Sequence, residues 1–167
     1  SAEIIQRWQK RYPHNITYIY KENGGQASAR NIGLKHVKTE WVTFIDPDDF
    51  VSNDYFLEVD KFIIKNSNLS MVACNLVFYY EDKKQFSNTH PLRFRFENDA
   101  IYPIDNLKKS FQLSASSAFF LSKLVKDNNV TFDERIKPNF EDGHFIATYL
   151  SNPINSYVGF AKKPIYY

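Results

Sequence analysis

Trp41-Val42-Thr43-Phe44-Ile45-Asp46-Pro47-Asp48-Asp49 runs from apolar, β-branched and aromatic residues straight into three carboxylates within four positions. The apolar part does not alternate with polar residues and has the length of a strand covered on both faces, so 41–46 is expected to be a buried strand of an α/β sheet. Ligands of such sheets bind just past the carboxyl ends of the strands. Asp46, Asp48 and Asp49 therefore fall where a ligand is expected. Like charges this close repel unless a positive group sits among them. A divalent cation meets that need, because hard cations take carboxylate oxygens and bridge them to phosphates. The same residues also suit a polar turn followed by a helix cap, and spacing alone leaves both readings open.

On either side of this strand, helices and strands alternate. Residues 2–12 place Ile4, Ile5, Trp8 and Tyr12 on one helical face, with Pro13 as the stop. Residues 16–21 read as a weakly alternating strand, and Ala27–Val37 as a helix after a turn with two glycines. After the acidic cluster, Ser52 or Asn53 is expected to cap a helix with Phe56, Leu57, Val59, Phe62 and Ile63 as its apolar stripe. This order predicts βαβ units and a parallel sheet. Further on, 70–80 reads as a strand, and 81–100 as irregular with strand character at 92–96. A helix is expected near 104–113 behind Pro103, a short strand at 117–121 and a short helix capped by Ser122. Residues 128–140 read as loop, Phe140-Glu141-Asp142 opens a helix to Leu150, and 156–167 forms one or two strands.

Length and composition bound the function. The 167 residues suffice for one domain with a real core, and no repeat, low-complexity segment or linker divides them, so residues 1–167 are expected to form a single domain. With 15 Phe and 11 Tyr the core is expected to be packed with rings. The 21 basic and 19 acidic residues nearly balance and form no basic stripe, so there is no nucleic-acid footprint. The single cysteine, Cys74, lies in an apolar run without a basic neighbour and reads as a buried, inert thiol.

Two further clusters carry chemistry. Gly24-Gly25-Gln26-Ala27-Ser28-Ala29-Arg30-Asn31 joins a strand to a helix; Gly24 and Gly25 permit close backbone approach, and a helix N-terminus offers free N–H groups to an anion. Arg30 lies within reach of a phosphate or of the acidic cluster, although a turn plus a surface arginine fits the spacing as well. Glu141 and Asp142 suit either first-turn acids complementing the helix dipole or a general base on a rigid element. The four histidines (14, 36, 90 and 144) are scattered, and His144 follows Asp142 closely.

Together, Asn23-Gly24-Gly25, Ala29-Arg30-Asn31-x-Gly33-Leu34, Phe44-Ile45-Asp46-x-Asp48-Asp49, Phe132-Asp133-Glu134 and Glu141-Asp142 resemble family-2 glycosyltransferases of the GT-A fold. Each piece is weak alone; in this order and spacing they are specific. The likeness runs from about residue 20 to 150, and Lys163-Pro164-Ile165-Tyr166-Tyr167 is similar to the last strand of such domains. The resemblance implies a GT-A-like α/β domain, a mostly parallel sheet with flanking helices. The family's opening strand–helix–strand segment, with a Pro-x-Tyr-Asn-like turn and an Asp-rich turn at the nucleotide base, has no counterpart in the chain. The domain is therefore expected to be incomplete at its N-terminus.

The resemblance also implies a mechanism. The donor is a nucleotide sugar, most often a UDP-sugar, and the cofactor Mn²⁺ or Mg²⁺. Asp48 is the first choice for the metal, Asp46 faces the ribose or reaches the metal through water, and Asp49 is a support or second ligand. Gly24, Gly25 and Arg30 lie at the donor's base or diphosphate. Asp142 is the catalytic base, which Glu141 positions unless it contacts the acceptor instead, and a single displacement inverts the anomeric centre. The acceptor is a glycan or wall polymer of a bacterial cell envelope, which implies polysaccharide biosynthesis in the cytoplasm or, by peripheral association, at the inner face of the membrane. Arg93, Arg95, Lys108 and Lys109 suit an anionic acceptor or a solvated basic face. A catalytically silent module that binds carbohydrate or protein, or a nucleotidyltransferase, are the competing readings.

Overall fold

The structure, a computed structural model, describes residues 2–87, 97–107, 114–136, 140–152 and 156–167. In chain order the elements are α1 (Ala2–Arg11), α2 (Gly25–His36), β1 (Trp41–Val42), α3 (Tyr55–Lys65), β2 (Leu69–Leu76), β3 (Phe78–Tyr80), β4 (Gln85–Ser87), β5 (Ala100–Pro103), a 3₁₀ turn (Ile104–Asn106), β6 (Ala118–Leu121), α4 (Ser122–Asp127), α5 (Glu141–Leu150) and β7 (Tyr157–Tyr166).

Five strands form one sheet in the order β1-β6-β2-β7-β5, and β3 and β4 form a separate hairpin. β2 is central. Met71 and Ala73 face one layer of the core with Phe120, Phe145, Ile146 and Tyr149. Val72 and Cys74 face the other with Tyr55, Val59, Phe62 and Phe119. A strand covered on both sides has no reason to alternate, which is why β2 reads as an unbroken apolar run. Cys74 is buried between these layers and burial pushes its thiol up to about 12, as expected of an inert cysteine.

The sheet is mixed, which corrects the mostly parallel expectation. Of the neighbouring pairs, β2 and β7 run parallel, whereas β1–β6, β6–β2 and β7–β5 are antiparallel. The helix–strand alternation that demands parallel crossovers holds only as far as β2. Beyond it, β3, β4 and β5 follow one another with no helix between them among the described residues, and β7, which runs parallel to β2, comes only after α4 and α5.

Several local expectations also change. Residues 16–21 enter no ladder with the described residues, and Ile19 and Tyr20 are exposed; an extended segment without a partner strand is not a strand. The opening stretch is not the buried strand expected over 41–46: its ladder covers Trp41 and Val42 alone, none of 41–46 is buried, Ile45 is exposed, and the Asp46 N–H goes to the Tyr166 hydroxyl. α3 starts at Tyr55 after Asp54, and Ser52 caps nothing, since its hydroxyl accepts the Ile165 N–H. Its buried stripe is Tyr55, Val59 and Phe62, while Phe56 and Leu57 face outward. The strand expected at 70–80 breaks at Val77, whose N–H bonds Tyr166, and β3 departs to pair with the unforeseen β4. Pro103 closes β5, and a short 3₁₀ turn takes the place of the start of the helix expected at 104–113. Ser122 begins α4 as a helical residue, with a buried hydroxyl that caps nothing. The strand at 92–96, His90, Arg93, Arg95, Lys108 and Lys109 lie outside the described residues.

α1 forms as read, but none of its residues is buried; Ile4, Ile5 and Trp8 stay exposed. No helix of the described residues is long and apolar enough to cross a membrane. Where α3 meets the sheet, a Cβ on Gly159 would lie 2.4 Å from the Phe62 ring. Glycine there lets the helix approach the strand closely. Gly159→Ala should therefore cost about 1–3 kcal/mol through overpacking, measured by urea denaturation; unchanged stability would show that Phe62 moves aside freely.

Candidate active site

The site is built around Arg30. α2 carries it, and its side chain is only 7% exposed. Nη2 donates to both oxygens of Asp46, at 2.9 and 3.1 Å, and to Ser116 Oγ at 3.3 Å. Nη1 donates to Asp142 Oδ1 and lies 3.8 Å from Glu141 Oε1. The guanidinium also packs over the rings of Phe44 and Phe132, 5.7 and 5.2 Å from their centroids. A planar, permanently charged fork suits this position, since it can bond carboxylates on two sides while its face lies on aromatic rings.

Each partner is fixed in turn. Asp46 also accepts from Gln26 Nε2 at 2.8 Å and Ser116 Oγ at 3.0 Å. Its own N–H donates to the Tyr166 hydroxyl at 3.0 Å, and that hydroxyl donates to Asp49 Oδ2 at 2.7 Å. Tyr166, at the end of β7, thus pins both ends of the Asp46–Asp49 turn. Asp142, in the first turn of α5, accepts the Ala115 N–H at 2.9 Å. Asn31 clamps α2 to the loop before α5: its amide oxygen accepts the Phe132 N–H at 2.8 Å, and its Nδ2 donates to the Phe132 carbonyl at 2.9 Å and to Glu134 at 3.0 Å. Phe132 then stacks on Phe145 at 4.1 Å and offers its other surroundings to Arg30. The glycine turn is real as well. Gly25 opens α2 at φ +82, a backbone state that favours glycine, and donates its N–H to Asn23 Oδ1.

Electrostatics divides the carboxylates. Burial raises the pKa of Asp142 above the usual carboxylate value, and the neighbouring Arg30 charge and the Ala115 N–H oppose that rise without cancelling it. Asp49 is also raised by burial, against the hydrogen bond from Tyr166. Glu141 is buried, and its Oε2 has no hydrogen-bond partner, as is true of Arg30 Nε. Asp48 is exposed and makes no hydrogen bond or ion pair with the described residues.

The structure brings Arg30, Asp46, Glu141 and Asp142 into one cluster. Gly25, Arg30, Asp46, Asp48 and Asp49 line a groove of about 950 Å³ between α2 and the strip that continues β1. His14, His36 and His144 are exposed, and none bonds this cluster through its side chain. Among the described residues no three His, Cys, Asp or Glu side chains converge as a preformed metal cage. Asp46 is engaged by Arg30, Gln26 and Ser116, so Asp48, with Asp49 beside it, is the carboxylate free to meet a cation. Mg²⁺-type ions are commonly held by one or two carboxylates and completed by substrate phosphates, and the residues present fit that arrangement. Ser116 and the Ala115 N–H lie in no motif, and Tyr166 stands in the closing strand, whose sequence gives no sign of its hydroxyl's role. The run of small residues Ser114-Ala115-Ser116-Ser117 ahead of β6 was the one sequence signal of a close approach there.

The sequence model of the family described as Glycosyl transferase family 2 matches residues 1–126. The minor teichoic acid biosynthesis protein GgaB of Bacillus subtilis is 31% identical over 137 residues, which are 82% of this chain and 15% of that protein. The teichoic acid poly(glycerol phosphate) polymerase of Staphylococcus epidermidis is 25% identical across the whole chain, which spans 22% of it. Among solved structures, S. aureus TarS 1–349 superposes with a TM-score of 0.78 at 20% identity, covering 100% of this chain and 46% of that one. The same TarS fragment bound to UDP-GlcNAc superposes at 0.73 and 20% identity, over 97% of this chain and 44% of that one. The chain thus spans less than half the length of each of these relatives. The fold is GT-A-like, and with the family's sequence pattern running through α1, α2, the acidic turn and β6, the chain belongs to glycosyl transferase family 2.

Proposed function

We propose that this chain carries the catalytic centre of a glycosyltransferase that moves a sugar from a nucleotide-sugar donor, a UDP-sugar, to a hydroxyl of a glycan or wall-polymer acceptor, with inversion. The observation that carries this reading is the Arg30 guanidinium bound at once to Asp46 and to Asp142. It joins the acidic turn, suited to the donor's diphosphate, to a carboxylate at the start of α5, suited to the acceptor. The names of the relatives support both substrate classes: TarS is described as a poly(ribitol-phosphate) β-N-acetylglucosaminyltransferase and has been crystallised with UDP and with UDP-GlcNAc. The reading includes a bacterial cell-envelope pathway and a cytoplasmic location, or peripheral association at the inner membrane face.

In this mechanism Asp142 takes the acceptor hydroxyl proton as that oxygen attacks the anomeric carbon. The carbon–oxygen bond to the diphosphate breaks on the opposite face, so the configuration inverts. The raised pKa of Asp142 makes it a stronger base than an exposed aspartate. Arg30 and the Ala115 N–H hold it in place, and the buried Glu141 backs the pair. Gly24 and Gly25 keep the turn at the head of α2 open to the donor, with Arg30 at the groove wall. One guanidinium faces three carboxylates, and Asp48 and Asp49 add two more, so a diphosphate needs further positive charge to settle here. Asp48, supported by Asp49, would hold Mn²⁺ or Mg²⁺, which supplies neutralisation of the charge developing on the leaving diphosphate. Asp46 serves Arg30 directly and faces the ribose.

Two experiments on the complete protein test the reading. Asp142→Asn should reduce transfer by about 10²–10⁴-fold while UDP still binds, with UDP release as the assay. In the parent enzyme the reaction needs the deprotonated base, so the rate should rise with pH through an acid limb above 3.8, the ordinary aspartate value. Transfer within tenfold of the parent, or an acid limb at or below that value, refutes Asp142 as the base. Asp48→Ala should weaken Mn²⁺-dependent UDP binding by calorimetry, and chelation should do the same to the parent; equal affinity with and without metal counts against Asp48 as its ligand.

A further inference from the structure

The Asp48-Asp49 turn has a second cavity on it. It is about 390 Å³, shares both aspartates with the groove beside α2, and extends from them toward the β3–β4 hairpin. Phe50, Tyr79, Glu81 and Tyr167 line it further out. Four rings close on one another around its outer wall. Phe50 stacks on Tyr167 at 4.8 Å and meets Tyr79 edge-on at 5.6 Å, while Phe86 lies 5.1 Å from Tyr79 and 5.0 Å from Tyr167. This wall is anchored by backbone. Phe50 and Tyr167 exchange both of their main-chain hydrogen bonds, at 3.0 and 2.8 Å, and Tyr79 pairs with Phe86 across the hairpin. Yet Phe50 is 44% and Phe86 53% exposed. Rings held this firmly and left open to solvent are not explained by core packing.

The chemistry of the lining selects its occupant. Carboxylates of Asp48, Asp49 and Glu81 stand beside the rings, and no lysine or arginine is among the lining residues that the structure describes. Aromatic faces with a few convergent hydrogen-bond acceptors suit a molecule with an apolar C–H face and hydroxyl donors at its edge. Surplus negative charge disfavours a phosphate. We propose that this cavity is a subsite for a neutral sugar ring of the acceptor, stacked on Tyr79 and Phe50 with its hydroxyls toward the carboxylates. The assignment rests on the glycosyl-transfer reading, which gives the groove on the other side of Asp48 and Asp49 to the donor and the reacting acceptor hydroxyl to Asp142; Asp142 does not line this cavity, so the cavity takes an acceptor unit beside the reacting one. A phosphate-bearing acceptor would place its neutral units here and its phosphates outside.

Saturation-transfer NMR on the complete protein, without donor, tests this with methyl glucoside and N-acetylglucosamine as probes and inorganic phosphate as competitor. Both sugars should receive saturation. Tyr79→Leu, which keeps apolar bulk but loses the ring, should weaken binding by about fivefold, whereas Tyr79→Phe should retain it and phosphate should not displace it. The subsite is refuted if the sugars do not bind the parent protein, if Tyr79→Leu binds them as well as the parent, or if phosphate displaces them. UDP with Mn²⁺, titrated into the same samples, separates the two claims: lost UDP binding in the parent overturns the donor reading, and intact UDP binding with unaltered sugar binding in Tyr79→Leu overturns the subsite alone.

Discussion

The structure depends on one buried cation. Arg30 reaches from α2 to carboxylates 16 and 112 residues away and gathers the acidic turn, the segment before β6 and the start of α5 around a single guanidinium. Taking such a charge out of water is costly, and close pairing offsets that cost. The aspartates and Ser116 supply it at the two Nη atoms and Phe44 and Phe132 at the face, while Nε has no hydrogen-bond partner. Removal of either side of a buried pair leaves its partner stranded, at a cost of about 3–5 kcal/mol in comparable cases. Lysine would keep the charge but not the flat fork that bonds on two sides.

The same contact sets the chemistry of Asp142. Burial works to protonate it, and Arg30 works to ionise it; burial prevails, so the carboxyl is left more basic than usual yet held in a fixed direction. Tyr166 does a comparable service for the acidic turn, since its hydroxyl accepts the backbone N–H of Asp46 and donates a hydrogen bond to Asp49. Asp48 is left over, exposed beside them. Under the proposed function, the held carboxylate, the pinned turn and the one free carboxylate divide between acceptor, scaffold and cation.

The acids of this site were legible in the sequence because strand-end aspartates and a first-turn Glu-Asp pair are local patterns. Their grip by Arg30 was not, since it joins residues whose separation along the chain gives no periodic signal. Asn31 and Phe132 illustrate the difference: both stand in recognisable motifs, but only the fold shows that the two motifs are hydrogen-bonded to each other. Ser116 belongs to no motif, and Tyr166 stands in the recognisable closing strand, but the place of both in the site is visible only through their partners. At the level of elements, α2 and α5 were readable from their spacing, whereas residues 16–21 have strand composition and no strand to pair with. The mixed sheet is not legible in the sequence because strand direction is set by the connections after β2, where composition is uninformative. In α3, hydrophobicity alone places Phe56 and Leu57 in the buried stripe, whereas the packing of Tyr55, Val59 and Phe62 turns the helix the other way.

The most direct measurement is the pH–rate profile of Arg30→Gln in the complete protein, set beside that of the parent. With Arg30 joining the two halves and lowering the pKa of Asp142, transfer should fall more than about tenfold, the effect of a lost charge-assisted bond at a reacting group, and the acid limb should move to higher pH. An unchanged rate with an unmoved acid limb would contradict the central role given to this guanidinium.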